Sequence, residues 1–419
     1  MIIKTPKIIL KDDIVSLSVQ ILWETVDTGL PDTLWFTFSK ELKEYVTENS
    51  NAFLICILQQ AMFQSENIHV QGKVSKKLLD SLDQYQIIYS MWHPEWFTRI
   101  DITCDEVITD SSPVKRTGVM SAFSGGVDSF HGLWAHLPEN DSDTNSQITH
   151  TLFVHGFDIP LSNKCSYDVA SKKYKKIMKP HGIELLSVQT NLREFCSMPN
   201  WDAMWIPAVV GTAHIFDRKI VKFYLAEINT YDYKPTKWKK FISNFSFHEN
   251  ITLKLLSTET LEVSGKEGAI PKTKKIEAIA DWDEVYDALH VCWENSEGLQ
   301  NCCRCQKCMF NMSVLDMEGT LQKYMTFPLD VDRQCVRSVL YPFSMLYVPK
   351  IVIRRAQQLK RNDVIFDYRY ILWKSRFNIY SKYLISLLNL PKHIYVLSAV
   401  LKINMPGYEK FVLWLRQSY

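Results

Sequence analysis

Two clusters in this chain combine residue types with a spacing that chemistry can use. The first is Ser124-Gly125-Gly126-Val127-Asp128-Ser129. Adjacent glycines let a backbone turn tightly and approach a ligand with no Cβ in the way. The run follows an apolar stretch at 117–123, which predicts a strand, and precedes a helical stretch at 129–136. A loop so placed ends in the unpaired amides of a helix N-terminus, where the dipole favours an anion. Ser124 and Ser129 add hydroxyl donors. Asp128 would repel a phosphate unless Mg2+ lies between them. Together these residues suit a magnesium-bound polyphosphate. No lysine follows the glycines, so the ending of a Walker A loop is missing.

The second cluster is Cys292, Cys302, Cys305 and Cys308, spaced Cys-x9-Cys-x2-Cys-x2-Cys. Four thiolates this close in sequence can close a tetrahedron around Zn2+, and all-cysteine closed sites are usually structural. Arg304 and Lys307 lie between the ligands and would partly offset their charge. Cys303 is the spare; the even two-residue spacing favours Cys302 over it. A redox Cys-x2-Cys pair would leave the other thiols unexplained. Five of the ten cysteines fall in this short stretch, which points to metal binding in a reducing cytoplasm rather than to a disulfide framework.

The elements that must position these clusters are strands and helices in alternation. Strands are predicted at 117–123, 148–154, 184–189 and 221–226, with helices at 129–136, 166–181 and 202–217. That alternation predicts an α/β fold, a parallel sheet with helices on both faces. Ligands of such sheets bind beyond the carboxyl ends of the strands. Residues 1–113 read as an appended α+β domain, with strands at 14–22 and 100–108 and helices at 40–64 and 73–82. Ser111-Ser112-Pro113 marks its boundary. The nucleotide-binding domain with its zinc knot then covers 114–325. Residues 326–419 form a basic, aromatic-rich tail with helices at 351–360 and 371–390.

The whole chain of 419 residues carries a net charge of +2, but unevenly. From 331 to 419 there are fifteen Lys/Arg and four Asp/Glu, a net of +11, leaving −9 on the rest. The N-terminus lacks the pattern of a secretory signal. No stretch reaches the roughly 18 apolar residues of a membrane span. The best candidate, 383–401, is broken by Pro391-Lys392-His393 and reads as a buried helical hairpin.

The hexapeptide resembles the SGGxDS loop of the PP-loop ATP pyrophosphatases. With the cysteine set downstream, residues of about 118–312 resemble 7-cyano-7-deazaguanine synthase. In that family a cysteine beside an aromatic precedes a CGxCxxC knot; here these are Cys292-Trp293 and Cys302 to Cys308, with Cys303 in place of the glycine. The resemblance implies an adenine nucleotide alpha hydrolase-like fold and three cofactors: ATP, Mg2+ and Zn2+. It implies that Ser124, Gly125, Gly126, Val127, Asp128 and Ser129 hold the departing β- and γ-phosphates, with Asp128 and Ser129 catalytic. His155 and Gly156, in Val154-His155-Gly156-Phe157-Asp158, would read adenine through their backbone. Lys275, or its neighbour Lys274, would contact the α-phosphate or acyl group. Arg193, in Thr190-Asn191-Leu192-Arg193, would clamp a carboxylate, and His248 would lie near a substrate loop.

The implied reaction adenylates a carboxylic acid, releases pyrophosphate and passes the acyl group to an amine, giving an amide or nitrile. Two alternatives within this chemistry are a tRNA-modifying enzyme that adenylates a base carbonyl and a ligase joining a deazaguanine acid to a protein amine. For these, an RNA or protein acceptor would dock on residues 1–113 or on the basic tail. The tail equally suits peripheral contact with an anionic membrane surface, or a helical cap with a solvated basic face.

Overall fold

The computed structural model describes residues 1–24, 29–109, 116–144, 146–198, 201–226, 249–266, 269–294 and 298–387. Its first part is built from β1 (Ile2–Ile3), β2 (Lys7–Lys11), β3 (Ile14–Leu22), β4 (Thr33–Ser39), α1 (Asn51–Gln64), β5 (Ile68–Ser75), α2 (Lys76–Trp92) and β6 (Ile102–Ile108). Along β3 and β4 burial alternates, with Val15, Leu17, Val19, Ile21, Leu34, Phe36 and Phe38 inward. Such a period of two is what a sheet with one covered face requires. Strands β1, β2, β4 and most of β5 were not expected from the sequence, α2 runs on to Trp92, and two helix starts differ. The helix expected from 40 is a 3-10 turn, Lys40–Tyr45, and α1 starts only at Asn51. The helix expected from 73 begins at Lys76, because β5 runs on to Ser75, whose side chain caps α2 by accepting from the Leu78 amide.

The alternation continues with β7 (Gly118–Ala122), α3 (Val127–Ala135), β8 (His150–His155), α4 (Lys164–Met178), β9 (Glu184–Thr190), α5 (Trp205–His214), β10 (Ile220–Ala226), α6 (Glu249–Thr252), β11 (Glu262–Lys266), α7 (Lys272–Ile279) and α8 (Gln306–Met317). Every residue of β8 is buried, as expected of a strand covered on both faces. Strands β11, β10, β7, β8 and β9 lie side by side in that order and pair in parallel. The order reverses at β7. With this order, the right-handed rule for parallel crossovers calls for α3 and α4 on one face and α5 on the other.

The boundary expected at Pro113 is bridged. Strand β4 pairs antiparallel with β9, Phe36 opposite Thr190 and Thr37 opposite Gln189. The sheet therefore runs on through β4, β3, β1, β5 and β6 as one mostly parallel sheet of eleven strands, with β2 paired on β3. Helix α1, buried from Asn51 to Met62, packs on α5. One apolar core reaches from Met1 to Val263, and residues 1–330, apart from 237–243, belong to one compact unit.

The second unit begins at Val331. Its described part is α9 (Arg333–Ser338), α10 (Tyr347–Gln358) and α11 (Asn362–Leu387). Asp367 of α11, nearly buried, binds Arg333 and Arg337 of α9 at 2.7 and 2.6 Å. The helical tail of the sequence analysis is present to Leu387; residues 388–419 lie outside the described part. Among the described residues no helix is long and apolar enough to cross a membrane.

Candidate functional site

Strand β7 is flanked by β8 on one side and β10 on the other, so its carboxyl end opens at the point where strand order reverses. Residues 124–129 leave the sheet there. Gly125 has φ +78, and a Cβ on it would lie 1.8 Å from the Tyr174 hydroxyl oxygen. Glycine is therefore required twice over, by backbone conformation and by the tyrosine packed beneath the turn. Tyr174 is fixed edge-on by Phe123, Phe130 and Phe153. Burial pushes its pKa up, so it stays a neutral phenol.

Gly126 caps α3 in an extended conformation, and the first helical hydrogen bond runs from the Phe130 amide to the Gly126 carbonyl. The amides of Val127, Asp128 and Ser129 precede that bond and form the electropositive end of the helix. Ser124 is exposed at the mouth of the turn. The Ser129 hydroxyl is buried and donates to the Gly126 carbonyl at 2.9 Å, bracing the loop.

Asp128 carries the electrostatics. The Lys272 ammonium donates to one carboxylate oxygen at 2.8 Å and that of Lys275 to the other at 3.2 Å. Burial alone would raise the Asp128 pKa, but the two ammoniums outweigh it and hold the group at about 2. Lys275 is itself buried. The sequence named Lys275 or Lys274; the structure brings Lys275 to the loop and turns Lys274 outward onto Glu277, at 2.6 Å. Lys272 was missed. All three lie on α7, and residues three apart share a helix face while neighbours do not. A helix assigned over 272–279 would have paired Lys272 with Lys275.

His155 ends β8 beside the loop, but its ring is used internally. It stacks on Tyr167, 4.4 Å between centroids, and Nε2 donates to the Pro160 carbonyl at 3.0 Å. Burial lowers its pKa and keeps the imidazole neutral. Gly156 has φ +108, and a Cβ there would meet the Thr190 carbonyl oxygen at 2.1 Å. The turns after β8 and β9 thus touch backbone to backbone. Arg193 reinforces them: its guanidinium donates to the Phe157 carbonyl at 2.6 Å and lies over the Trp201 ring. His248 lies outside the described residues.

The four expected cysteines converge. The Sγ atoms of Cys292, Cys302, Cys305 and Cys308 all lie within 4.8 Å of one another. The amides of Cys305 and Cys308 donate to the sulfurs of Cys302 and Cys305, at 3.3 and 3.4 Å. Soft donors in this number and compactness suit a tetrahedral metal such as zinc. Cys303 is no part of the set: its thiol turns to the Asn301 carbonyl, and its φ of +54 is left-handed. That conformation favours glycine, the residue the resembled family carries at this place.

The knot and the loop are physically joined. Asn301 accepts from the amides of Val291 and Cys292 and donates to the Leu289 carbonyl. The intervening His290 amide donates to the Gly125 carbonyl at 2.9 Å. Two clusters far apart in sequence are thereby one mechanical assembly. Comparison with protein-family models, with curated proteins and with solved structures finds no match to this chain.

Proposed function

We propose that this chain is an ATP-dependent ligase that forms C–N bonds through an adenylated carboxylate, in the manner of 7-cyano-7-deazaguanine synthase. The observation that carries this is the placement of Lys272, Lys275 and Asp128 around the N-terminus of α3. Two cations, a run of helix-start amides and one carboxylate meet at a glycine turn beyond the end of β7. A simple anion would be repelled by the carboxylate, and a bare cation by the lysines. A polyphosphate carrying Mg2+ satisfies both.

In this proposal the amides of Gly125 to Ser129, with Ser124, bind the β- and γ-phosphates. Lys272 and Lys275 offset their charge, and Asp128 holds Mg2+. Bound Mg2+ supplies charge neutralisation for the departing pyrophosphate. The backbone after His155 and Gly156 faces adenine. An oxygen of the acid substrate forms a bond to the α-phosphorus while the bond to the β-phosphate oxygen breaks, and pyrophosphate leaves. The amine nitrogen then bonds to the acyl carbon, its proton is lost, and AMP departs. What the residues contribute is alignment and charge complementarity rather than covalent chemistry. Cys292, Cys302, Cys305 and Cys308 would hold Zn2+, and the Asn301 and His290 hydrogen bonds would pass the rigidity of that knot to the loop. The reducing cytoplasm is the compartment that suits such a site.

The test is product analysis across candidate carboxylic acids with an ammonium or amine donor. AMP and pyrophosphate should appear in equal amounts, dependent on acid, with an amide or nitrile product by mass spectrometry. ADP and inorganic phosphate would point to activation through an acyl phosphate, or to plain ATP hydrolysis, and sink the proposal. Asp128→Asn should reduce turnover at least a hundredfold while the far-ultraviolet circular dichroism is unchanged. Amide formed on a protein or tRNA instead of a small molecule would identify a macromolecular acceptor.

A further inference from the structure

The Asp128 carboxylate is not open to solvent as a waiting metal ligand usually is. Its side chain is 18% exposed, and each oxygen receives an ammonium. Lys275, at 2% side-chain exposure, and Lys272, at 29%, come from one face of α7 and converge on it from the same side. At neutral pH the triad carries a net of one positive charge, and the cations point at the carboxylate as well as toward the helix start. A bare polyphosphate approaching the amides of α3 therefore meets lysines already engaged, with a negative charge between them.

We infer that Asp128 is an internal counter-ion that holds Lys272 and Lys275 and makes metal and polyphosphate bind as one unit. Without a divalent cation, an incoming phosphate competes with Asp128 for the same two ammoniums, and the carboxylate repels it at close range. With the cation, the carboxylate turns its charge to the metal and both lysines turn theirs to the phosphates. Free polyphosphate, free adenine nucleotide lacking metal, and inorganic phosphate are thereby rejected by the resting site. This inference rests on the loop being a polyphosphate site, and it adds a rule for which form of the ligand is admitted.

The experiment titrates inorganic pyrophosphate into the full-length chain by calorimetry, with excess Mg2+ and separately with EDTA. For the wild type, binding should be at least tenfold tighter with Mg2+. For Asp128→Asn in EDTA, binding should be at least tenfold tighter than for the wild type in EDTA, and Mg2+ should change it less than threefold. Asp128→Ser, equally uncharged but smaller, should behave as Asp128→Asn does. Where a variant is too unstable to titrate, the same comparison is read as the rise in melting temperature that pyrophosphate gives in EDTA. Variants no tighter than the wild type in EDTA would overturn the counter-ion role while leaving the loop a polyphosphate site. Absence of any pyrophosphate binding by the wild type, with or without Mg2+, would overturn that site and the counter-ion role together.

Discussion

Asp128 titrates far below an ordinary carboxyl, and this has a signature in stability as well as in binding. Its pKa falls from 3.8 to about 2 on folding, burial raising it and the two lysines lowering it further. A depressed carboxylate contributes stability above its unfolded pKa and loses it as pH falls through the folded one. The pairing should thus contribute about 2 kcal/mol at neutral pH and fade between pH 4 and pH 2. Urea unfolding of the wild type and Asp128→Asn at pH 5, 3.5 and 2.5 checks this, and a constant difference across the series would refute the pairing. Cys303 offers a second residue-scale test. In Cys303→Gly, relief of the left-handed backbone offsets the lost buried side chain, so stability should change by less than about 1 kcal/mol. Metal content should be unaltered; a loss of metal would make Cys303 a ligand.

At the scale of elements, the cysteine knot and the glycine turn share one segment, since Asn301 fixes residues 289–292 and His290 holds Gly125. Cys305→Ser should therefore lose the metal and also weaken magnesium–pyrophosphate binding at least fivefold, although Cys305 touches neither. Mass spectrometry of metal content beside calorimetry separates the two effects; intact binding in a metal-free variant would show the elements to be uncoupled. The same elements mark how far sequence could be read. The SGGVDS turn and the cysteine spacing were legible because both are local, each carrying its chemistry within a few residues. The lysines of the site were only half legible, because Lys274 lies off the helix face that Lys272 and Lys275 share and α7 had not been recognised. Arg193 and His155 were placed near the right turns, but what their side chains touch, Trp201 and the Pro160 carbonyl, depends on packing between segments. Strand β5 went unrecognised, and its last residues, 73–75, were read as the start of the following helix, because the pairing that makes them a strand lies with β6, some thirty residues on.

For the whole molecule, residues 1–113 were expected as an appended domain, and instead the described residues 1–109 complete the sheet and core of the rest. A chain starting at residue 114 would expose the edge of β9 and the face of α5 that α1 covers, and should aggregate or remain unfolded. A chain ending at residue 330 keeps a complete unit with its knot and should fold, retain metal and melt cooperatively. Circular dichroism melts and gel filtration of both truncations check this; a soluble, cooperatively melting 114–419 would restore the first region to the status of an appendage.

The antiparallel junction of β4 with β9 also decides what the sheet can recruit. A bare outer strand is a template on which foreign chains can add themselves, and many proteins either guard it or exploit it. Here the β9 margin of the parallel strands is plugged from within, by Phe36 and Thr37 lying against Thr190 and Gln189. Strand addition is thereby foreclosed on that flank, and among the described residues the strands with a single partner are β11 and β6 at the two extremes and β2 beside β3.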